Sequence, residues 1–111
     1  MIVDGDTIVH PNAPSIFDAC GDGFCTVHND GSYDWLFRSM EAYSKLIFDD
    51  FTFPFTEYFN SGVMVVNAKH REFFNQVIEF YMEQHDRIKH LQETYHVGTD
   101  QPVLNFMVQK Y

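Results

Sequence analysis

The sequence predicts an α/β fold in which helices pack in layers against a sheet. The run 62–67, "GVMVVN", contains four consecutive apolar residues, which is typical of a central strand. The segments 33–48 and 68–91 carry apolar residues at three- and four-residue spacing, which predicts amphipathic helices. With 111 residues, of which 45% are hydrophobic and 17% aromatic, the chain has the size and composition of one globular domain.

The first half of the chain alternates short predicted elements with turns. Ile2 and Val3 predict the end of a strand that is buried on both faces, and "SIFDAC" predicts one or two helical turns. "FCTV" predicts a short strand between the turns "GDG" and "NDGS". The helix 33–48 follows, and "DDFTFPFTEYF" predicts an aromatic loop that covers the core or one of its edges.

The second half contains the predicted central strand and two helices. Asn67 is predicted to cap the helix 68–91 by accepting a hydrogen bond from an unpaired backbone N–H. The apolar face of that helix comprises four residues: Phe74, Val77, Ile78 and Tyr81. Thr99 predicts the N-cap of a further helix, and Pro102 is tolerated in its first turn. The predicted order is strand, helix, strand, helix, strand, helix, helix.

The charge of the chain excludes some classes of partner. Seven Lys and Arg residues stand against 16 Asp and Glu residues, for a net charge of −9. Such a surface repels nucleic acid backbones and anionic lipid. No apolar run approaches the roughly 18 residues of a membrane-spanning helix, and no basic-then-apolar leader is visible. We therefore expect a cytoplasmic protein, although a segment before Met1 would change this expectation.

Asp4 and Asp6 flank Gly5 directly after the first predicted strand. On an extended backbone, residues two positions apart point to the same side. Two neighbouring carboxylates repel each other unless a cation lies between them, and Mg²⁺ and Mn²⁺ prefer such oxygen ligands. The pattern predicts a metal site, and its structural alternative is an acidic turn after a strand.

Two further polar groups stand next to predicted elements. Asn60, Ser61 and Gly62 precede the central strand, where short side chains and a glycine allow a hydroxyl-rich ligand to approach. Asp100 and Gln101 stand at a helix start, which favours anionic or polar ligands. The alternatives are an ordinary turn before a strand and ordinary helix-opening residues.

Two other chemistries fit parts of the sequence. A haloacid-dehalogenase-like phosphatase also begins with an apolar strand and Asp-x-Asp, and "LIFDD" is similar to its later acidic pair. The stretch between Asp6 and Asp49 is too short for the sheet of such an enzyme. Cys20, Cys25 and His28 lack a fourth zinc ligand nearby, so two reduced thiols are expected instead.

Three stretches together resemble family 8 of the GT-A glycosyltransferases, the glycogenin-like and galactosyltransferase-like enzymes. "VDGDTIV" resembles the Asp-x-Asp signature, "YFNSGVMVVN" the Phe-Asn-x-Gly-apolar-Asn strand, and "TDQPVLN" the Asp-Gln-x-x-Leu-Asn helix start. The resemblance spans nearly the whole chain and about the second half of the family's catalytic domain. It implies a GT-A, Rossmann-like layered sheet, with residues 1–111 as a single partial domain.

The resemblance also implies roles for individual residues. Asp6 would be a direct ligand of Mn²⁺ or Mg²⁺, and Asp4 would contact the metal and the ribose of the donor. Asn60 would lie near the donor sugar and the acceptor, with Ser61 and Gly62 beside it.

The helix start carries the implied catalytic residues. Asp100 would bind sugar hydroxyls, and Gln101 would lie beneath the anomeric carbon in a retaining transfer. The implied function is metal-dependent transfer of a sugar from a nucleotide-diphosphate donor to a hydroxyl of a glycan, protein or small-molecule acceptor.

The chain also departs from the family pattern. The upstream units that hold the nucleotide base are absent, as is the downstream His-x-x-Gly-x-x-Lys-Pro-Trp stretch with its third metal ligand. We therefore expect a piece of an enzyme that is inactive alone and self-associates through an exposed sheet edge. The alternative is a non-catalytic interaction module derived from a glycosyltransferase, with "DDFTFPFTEYF" as its contact patch.

Overall fold

The computed structural model describes residues 1–29 and 31–111. The turn predicted at 29–32 includes Asp30, which lies outside the described residues. The α-helices and strands follow in chain order: β1 (Ile2–Val3), α1 (Ile16–Cys20), β2 (Cys25–His28), α2 (Tyr33–Leu46), β3 (Phe59–Val65), α3 (Arg71–Glu83), α4 (His85–Tyr95) and α5 (Asp100–Lys110). Short 3₁₀ turns precede β3 at Phe55–Glu57 and α3 at Ala68–His70.

The three strands form an antiparallel sheet in the order β1-β3-β2. Ile2 lies opposite Met64 on one side of β3, and Cys25 lies opposite Val65 on the other. The mixed α/β class predicted from the sequence is therefore confirmed. Both strand pairs run antiparallel, so a Rossmann-like parallel arrangement is not part of the described sheet.

The prediction that Ile2 and Val3 are buried on both faces is wrong. β1 is the edge strand of the described sheet, and Ile2 keeps 45% of its surface exposed. The central position belongs to β3, whose Phe59, Met64 and Val65 are buried. β3 also begins at Phe59 and not at residue 62, so Asn60, Ser61 and Gly62 lie within the strand and not before it.

The prediction of one helix over 68–91 is also wrong. α3 ends at Glu83, and α4 begins at His85 after a bend at Gln84, whose φ and ψ are −95° and 6°. The two helices bury different residues, Val77 from α3 and Ile88 and Leu91 from α4, whereas the predicted core residue Ile78 is 61% exposed. A single straight helix has one apolar face. Because the chain bends at Gln84, α3 and α4 can each turn a separate apolar face toward the core.

Local start signals predicted the helix beginnings well. The Asn67 side chain accepts a hydrogen bond of 2.9 Å from the Lys69 N–H, and His70 accepts one of 3.1 Å from the Asn67 N–H. These reciprocal bonds satisfy backbone donors that a helix start leaves unpaired. Thr99 stands at the N-cap position of α5 as predicted, although its side chain makes no capping hydrogen bond.

α5 runs through the core. Six successive residues, from Pro102 to Met107, are buried, so this helix is covered on all sides and not along one stripe. The ring of Phe106 stacks on Phe48 with the centroids 4.7 Å apart, and it meets Phe53 edge to face at 5.0 Å. This packing fixes α5 against the segment that follows α2, and the hydrogen bonds of Asn105 to the Phe59 backbone join α5 to β3, where the candidate site lies.

Within residues 1–29 and 31–111, none of the helices has both the length and the apolar character needed to cross a membrane.

Candidate functional site

The candidate site lies where β3 loses its pairing with β2. The register jumps from Thr26 opposite Met64 to Val27 opposite Asn60, so residues 61–63 have no Cα partner on β2. Such irregularities leave backbone groups unpaired and occur often beside active sites. The sheet therefore leaves two predicted site residues, Ser61 and Gly62, without a partner on β2.

Side-chain amides take the place of the missing strand partner. The Ser61 N–H donates to Gln101 Oε1 over 3.0 Å, and the Ser61 hydroxyl donates to the same oxygen over 3.3 Å. The Gly62 N–H donates to Asn60 Oδ1 over 2.7 Å. A partly buried N–H needs such an acceptor, so these contacts fix the orientation of the Asn60 and Gln101 side chains.

β1 brings Asp4 to the same place. The Asp4 N–H donates to the Gly62 carbonyl over 2.9 Å. A Cβ atom built on Gly62 would lie 2.8 Å from Asp4 Oδ2 and 2.8 Å from Asn60 Oδ1, closer than Cβ contacts occur in proteins. The predicted residues Asp4, Asn60, Ser61 and Gln101 thus meet around Gly62, where a Cβ atom would displace the side-chain oxygens of Asp4 and Asn60.

Replacing Gly62 with alanine is expected to destabilise the fold by about 1 kcal/mol, because the added methyl group displaces the Asn60 side chain that accepts from the Gly62 N–H. It also pushes the Asp4 carboxylate from its place. Urea unfolding followed by circular dichroism measures the loss. Gly5→Ala is the matched control, since nothing lies within 4 Å of a Cβ there. Equal stability of the two variants would contradict the close packing around Gly62.

Asp6 is not placed as the sequence suggested. The Thr7 N–H donates to the Asp4 carbonyl over 3.0 Å, so Gly5 and Asp6 form the middle of a turn. The extended backbone assumed for the Asp4–Asp6 pair is therefore wrong, because β1 ends at Val3. Both carboxylates are exposed.

Asp100 is the first residue of α5 and is exposed. It lines a cavity of about 290 Å³ between α3 and α5, beside Tyr81 and Val103. No hydrogen bond joins its side chain to Asn60 or Ser61 in the described part of the chain. Burial raises the pKa of the Tyr58 hydroxyl, and the charge of Asp100 adds to this shift.

Tyr58 is a site residue that the sequence reasoning missed. Its ring is 1% exposed, and its hydroxyl makes no hydrogen bond of normal geometry with the residues that the structure describes. Burial raises the pKa of this hydroxyl well above its ordinary value, although the neighbouring Gln101 side chain acts in the opposite direction. The hydroxyl therefore stays protonated at neutral pH and remains a donor beside Gln101.

Asn105 is the second missed residue. It is fully buried; its Oδ1 accepts from the Phe59 N–H at 2.7 Å, and its Nδ2 donates to the carbonyls of Phe59 and Gln101, each at 2.9 Å. The signal was present in "PVLNFMV", where one asparagine interrupts an apolar helix and must find partners inside the core.

Asp4 and Asp6 alone would make only an incomplete metal site. Among residues 1–29 and 31–111, no group of three or more His, Cys, Asp or Glu side chains is arranged to bind a metal, and Cys20, Cys25 and His28 form none. Mg²⁺ in nucleotide sites commonly uses one or two carboxylates together with substrate phosphates and water. Asp4 and Asp6 are such a pair of exposed carboxylates.

Compared with protein-family models, with curated proteins and with solved structures, the chain has no significant match. The resemblance to family 8 glycosyltransferases therefore rests on the three sequence stretches alone.

Proposed function

We propose that this chain is the C-terminal part of a GT-A glycosyltransferase domain, which transfers a sugar from a nucleotide-diphosphate donor to an acceptor hydroxyl. One observation carries the proposal. Asp4 and Gln101 come from two stretches that are distant in sequence from Asn60–Gly62, and both lie against that segment: the Asp4 N–H donates to the Gly62 carbonyl, and Gln101 Oε1 accepts from the Ser61 N–H. The spacing of the stretches does not by itself require these two long-range contacts.

The two acidic residues are the proposed binding groups for the donor diphosphate. Asp4 and Asp6 would hold Mn²⁺ or Mg²⁺, which neutralises the charge that develops on a leaving diphosphate. In this proposal the chain contributes two exposed carboxylates beside the end of β1 to the binding of the metal. The backbone bond from Asp4 to Gly62 fixes the first of them against the sheet.

The amide groups are the proposed binding groups for the sugar. The Gln101 amide oxygen accepts hydrogen bonds from both the N–H and the hydroxyl of Ser61. The amide NH₂ of Gln101 is therefore the group that can donate to a sugar. Asp100 is exposed next to it and can accept hydrogen bonds from sugar hydroxyls. The Gln101 amide and the Asp100 carboxylate would raise the rate of sugar transfer by orienting the donor and the acceptor.

Asp6→Asn and Asp4→Asn are each expected to lower metal-dependent transfer by roughly 100-fold or more, since charge stabilisation by a metal is worth several kcal/mol. The measurement, made on the full-length parent enzyme to which this chain is proposed to belong, is release of nucleoside diphosphate from a panel of nucleotide-sugars with Mn²⁺ present. Mn²⁺ binding to the chain, with and without a nucleoside diphosphate, is titrated in parallel.

Asp18→Asn is the control, because Asp18 is an exposed carboxylate of α1 outside the site. Unchanged Mn²⁺-dependent donor turnover in both site variants would overturn the proposal. Release of inorganic phosphate from phosphomonoesters, without turnover of nucleotide-sugars, would favour the phosphatase alternative instead.

A further inference from the structure

A second cavity lies between the C-terminal half of α2 and the segment that follows it. Its volume is about 530 Å³, which is within the range of small-molecule sites, about 300–1,000 Å³. None of Asp4, Asn60 or Gln101 lines this cavity. It is therefore separate from the proposed sugar-transfer site and needs its own explanation.

Aromatic rings form much of the wall. Phe37 and Phe55 are 50% and 45% exposed, and their ring centroids lie 5.3 Å apart in an edge-to-face pair. Phe53 and Phe106 close the inner end, also edge to face, at 5.0 Å. Ring faces carry negative charge density, so a cavity of this kind attracts organic cations.

The polar rim has an excess of negative charge. Two carboxylates, Glu41 and Asp50, line the cavity together with a single ammonium group, Lys45. Lys45 Nζ lies 2.7 Å from Glu41 Oε1, and this contact lowers the pKa of Glu41. Asp50 forms no ion pair with another described residue, although the Glu41 contact and, to a smaller extent, the charge of Asp50 raise the pKa of Lys45. The two carboxylates therefore outnumber the one ammonium group by a single negative charge, which a cationic ligand would balance.

The backbone holds Asp50 at the cavity in an unusual conformation. Asp49 and Asp50 have positive φ angles of 51° and 63°, which asparagine and aspartate tolerate better than other residues with a Cβ. The Asp50 N–H donates to the Ser44 carbonyl over 2.9 Å. This bond ties Asp50 to the C-terminal end of α2, where the helix dipole adds negative potential.

We propose that this cavity binds a small organic cation whose ammonium group pairs with Asp50 and whose apolar body packs against Phe37 and Phe55. The aromatic wall selects an apolar body, and the unmatched carboxylate selects the charge. The net charge of −9 on the chain also attracts cations, which favours the approach of such a ligand.

Three probes that differ mainly in charge test the site on the whole chain: phenethylammonium, phenethyl alcohol and hydrocinnamate. Binding is followed by NMR titration of the aromatic and amide signals. We expect saturable binding that is tightest for the ammonium, weaker for the alcohol and weakest for the carboxylate. The perturbed signals are expected to belong to α2 and the segment 50–55.

Asp50→Asn removes the charge and keeps a residue that tolerates the positive φ. It is expected to weaken binding of the ammonium about fivefold and to leave binding of the alcohol unchanged. Asp49→Asn is the matched control, because Asp49 has the same backbone conformation and does not line the cavity. Phe37→Leu, at a half-exposed position, is expected to weaken binding of both probes.

Two results would overturn the proposal. One is a wild-type titration without saturation, or with equal affinity for the ammonium and the carboxylate. The other is equal affinity of the Asp49→Asn and Asp50→Asn variants for the ammonium. Both readouts are independent of sugar transfer, so the failure of one proposal does not decide the other.

Discussion

Phe106→Ala is expected to lower the free energy of unfolding by about 4 kcal/mol, the largest effect that we predict for a single side chain. Phe106 is fully buried, and its ring stacks on Phe48 at 4.7 Å and on Tyr43 at 6.3 Å. Truncation removes these contacts and leaves a cavity that rigid aromatic neighbours cannot fill. Since small domains are stable by about 5–15 kcal/mol, the variant loses a large share of its stability.

Urea unfolding and thermal melting measure this effect, and the melting temperature is expected to fall by about 15 °C or more. Phe17→Ala is the control, because Phe17 is 55% exposed on α1, and it is expected to cost less than about 1 kcal/mol. A loss below about 1.5 kcal/mol for Phe106→Ala would mean that the aromatic cluster is packed more loosely than described.

Asn105→Leu is expected to cost about 3 kcal/mol, although leucine has a similar volume and is apolar. The change leaves the Phe59 N–H and the carbonyls of Phe59 and Gln101 without the partners that Asn105 supplies. Each buried polar group left unpaired costs about 1–3 kcal/mol. The same change frees the start of α5 from β3, so we also expect a weaker contact between Gln101 and Ser61.

Denaturant unfolding measures the stability of this variant. Gln109→Leu is the control on the same helix, since its only side-chain hydrogen bond with the described residues is a long one, 3.5 Å to the Glu57 carbonyl. We expect it to change stability by less than about 0.5 kcal/mol. If the two variants are equally stable, Asn105 does not connect the helix to the strand energetically.

The sequence predicted those features that depend on near neighbours. Asn67 caps the following helix through residues two and three positions away, the apolar spacing gave the start of α2, and Thr99 stands at the N-cap position of α5. The bend at Gln84 was not predictable in the same way. It results from packing against other elements, and the apolar spacing on either side of it is compatible with one continuous helix.

The candidate site was predictable in its residues and not in its geometry. The sequence order pointed to Asp4, Asn60 and Gln101, but it did not reveal the irregular pairing between β2 and β3 that brings Gln101 to Ser61. Strand direction and register depend on contacts across the whole fold. Tyr58 and Asn105 were not predicted as site residues, because their roles depend on burial and the burial of a polar side chain cannot be inferred from a single sequence.

The irregularity in β3 also bears on how the chain folds. The Ser61 amide receives its acceptor from a residue 40 positions further along the chain and not from a neighbouring strand. Contacts that close such long loops form slowly, because the loop entropy is lost before the contact stabilises anything. The Ser61 N–H therefore stays bonded to water until α5 is in place, so we expect the docking of α5 on β3 to be a late step of folding.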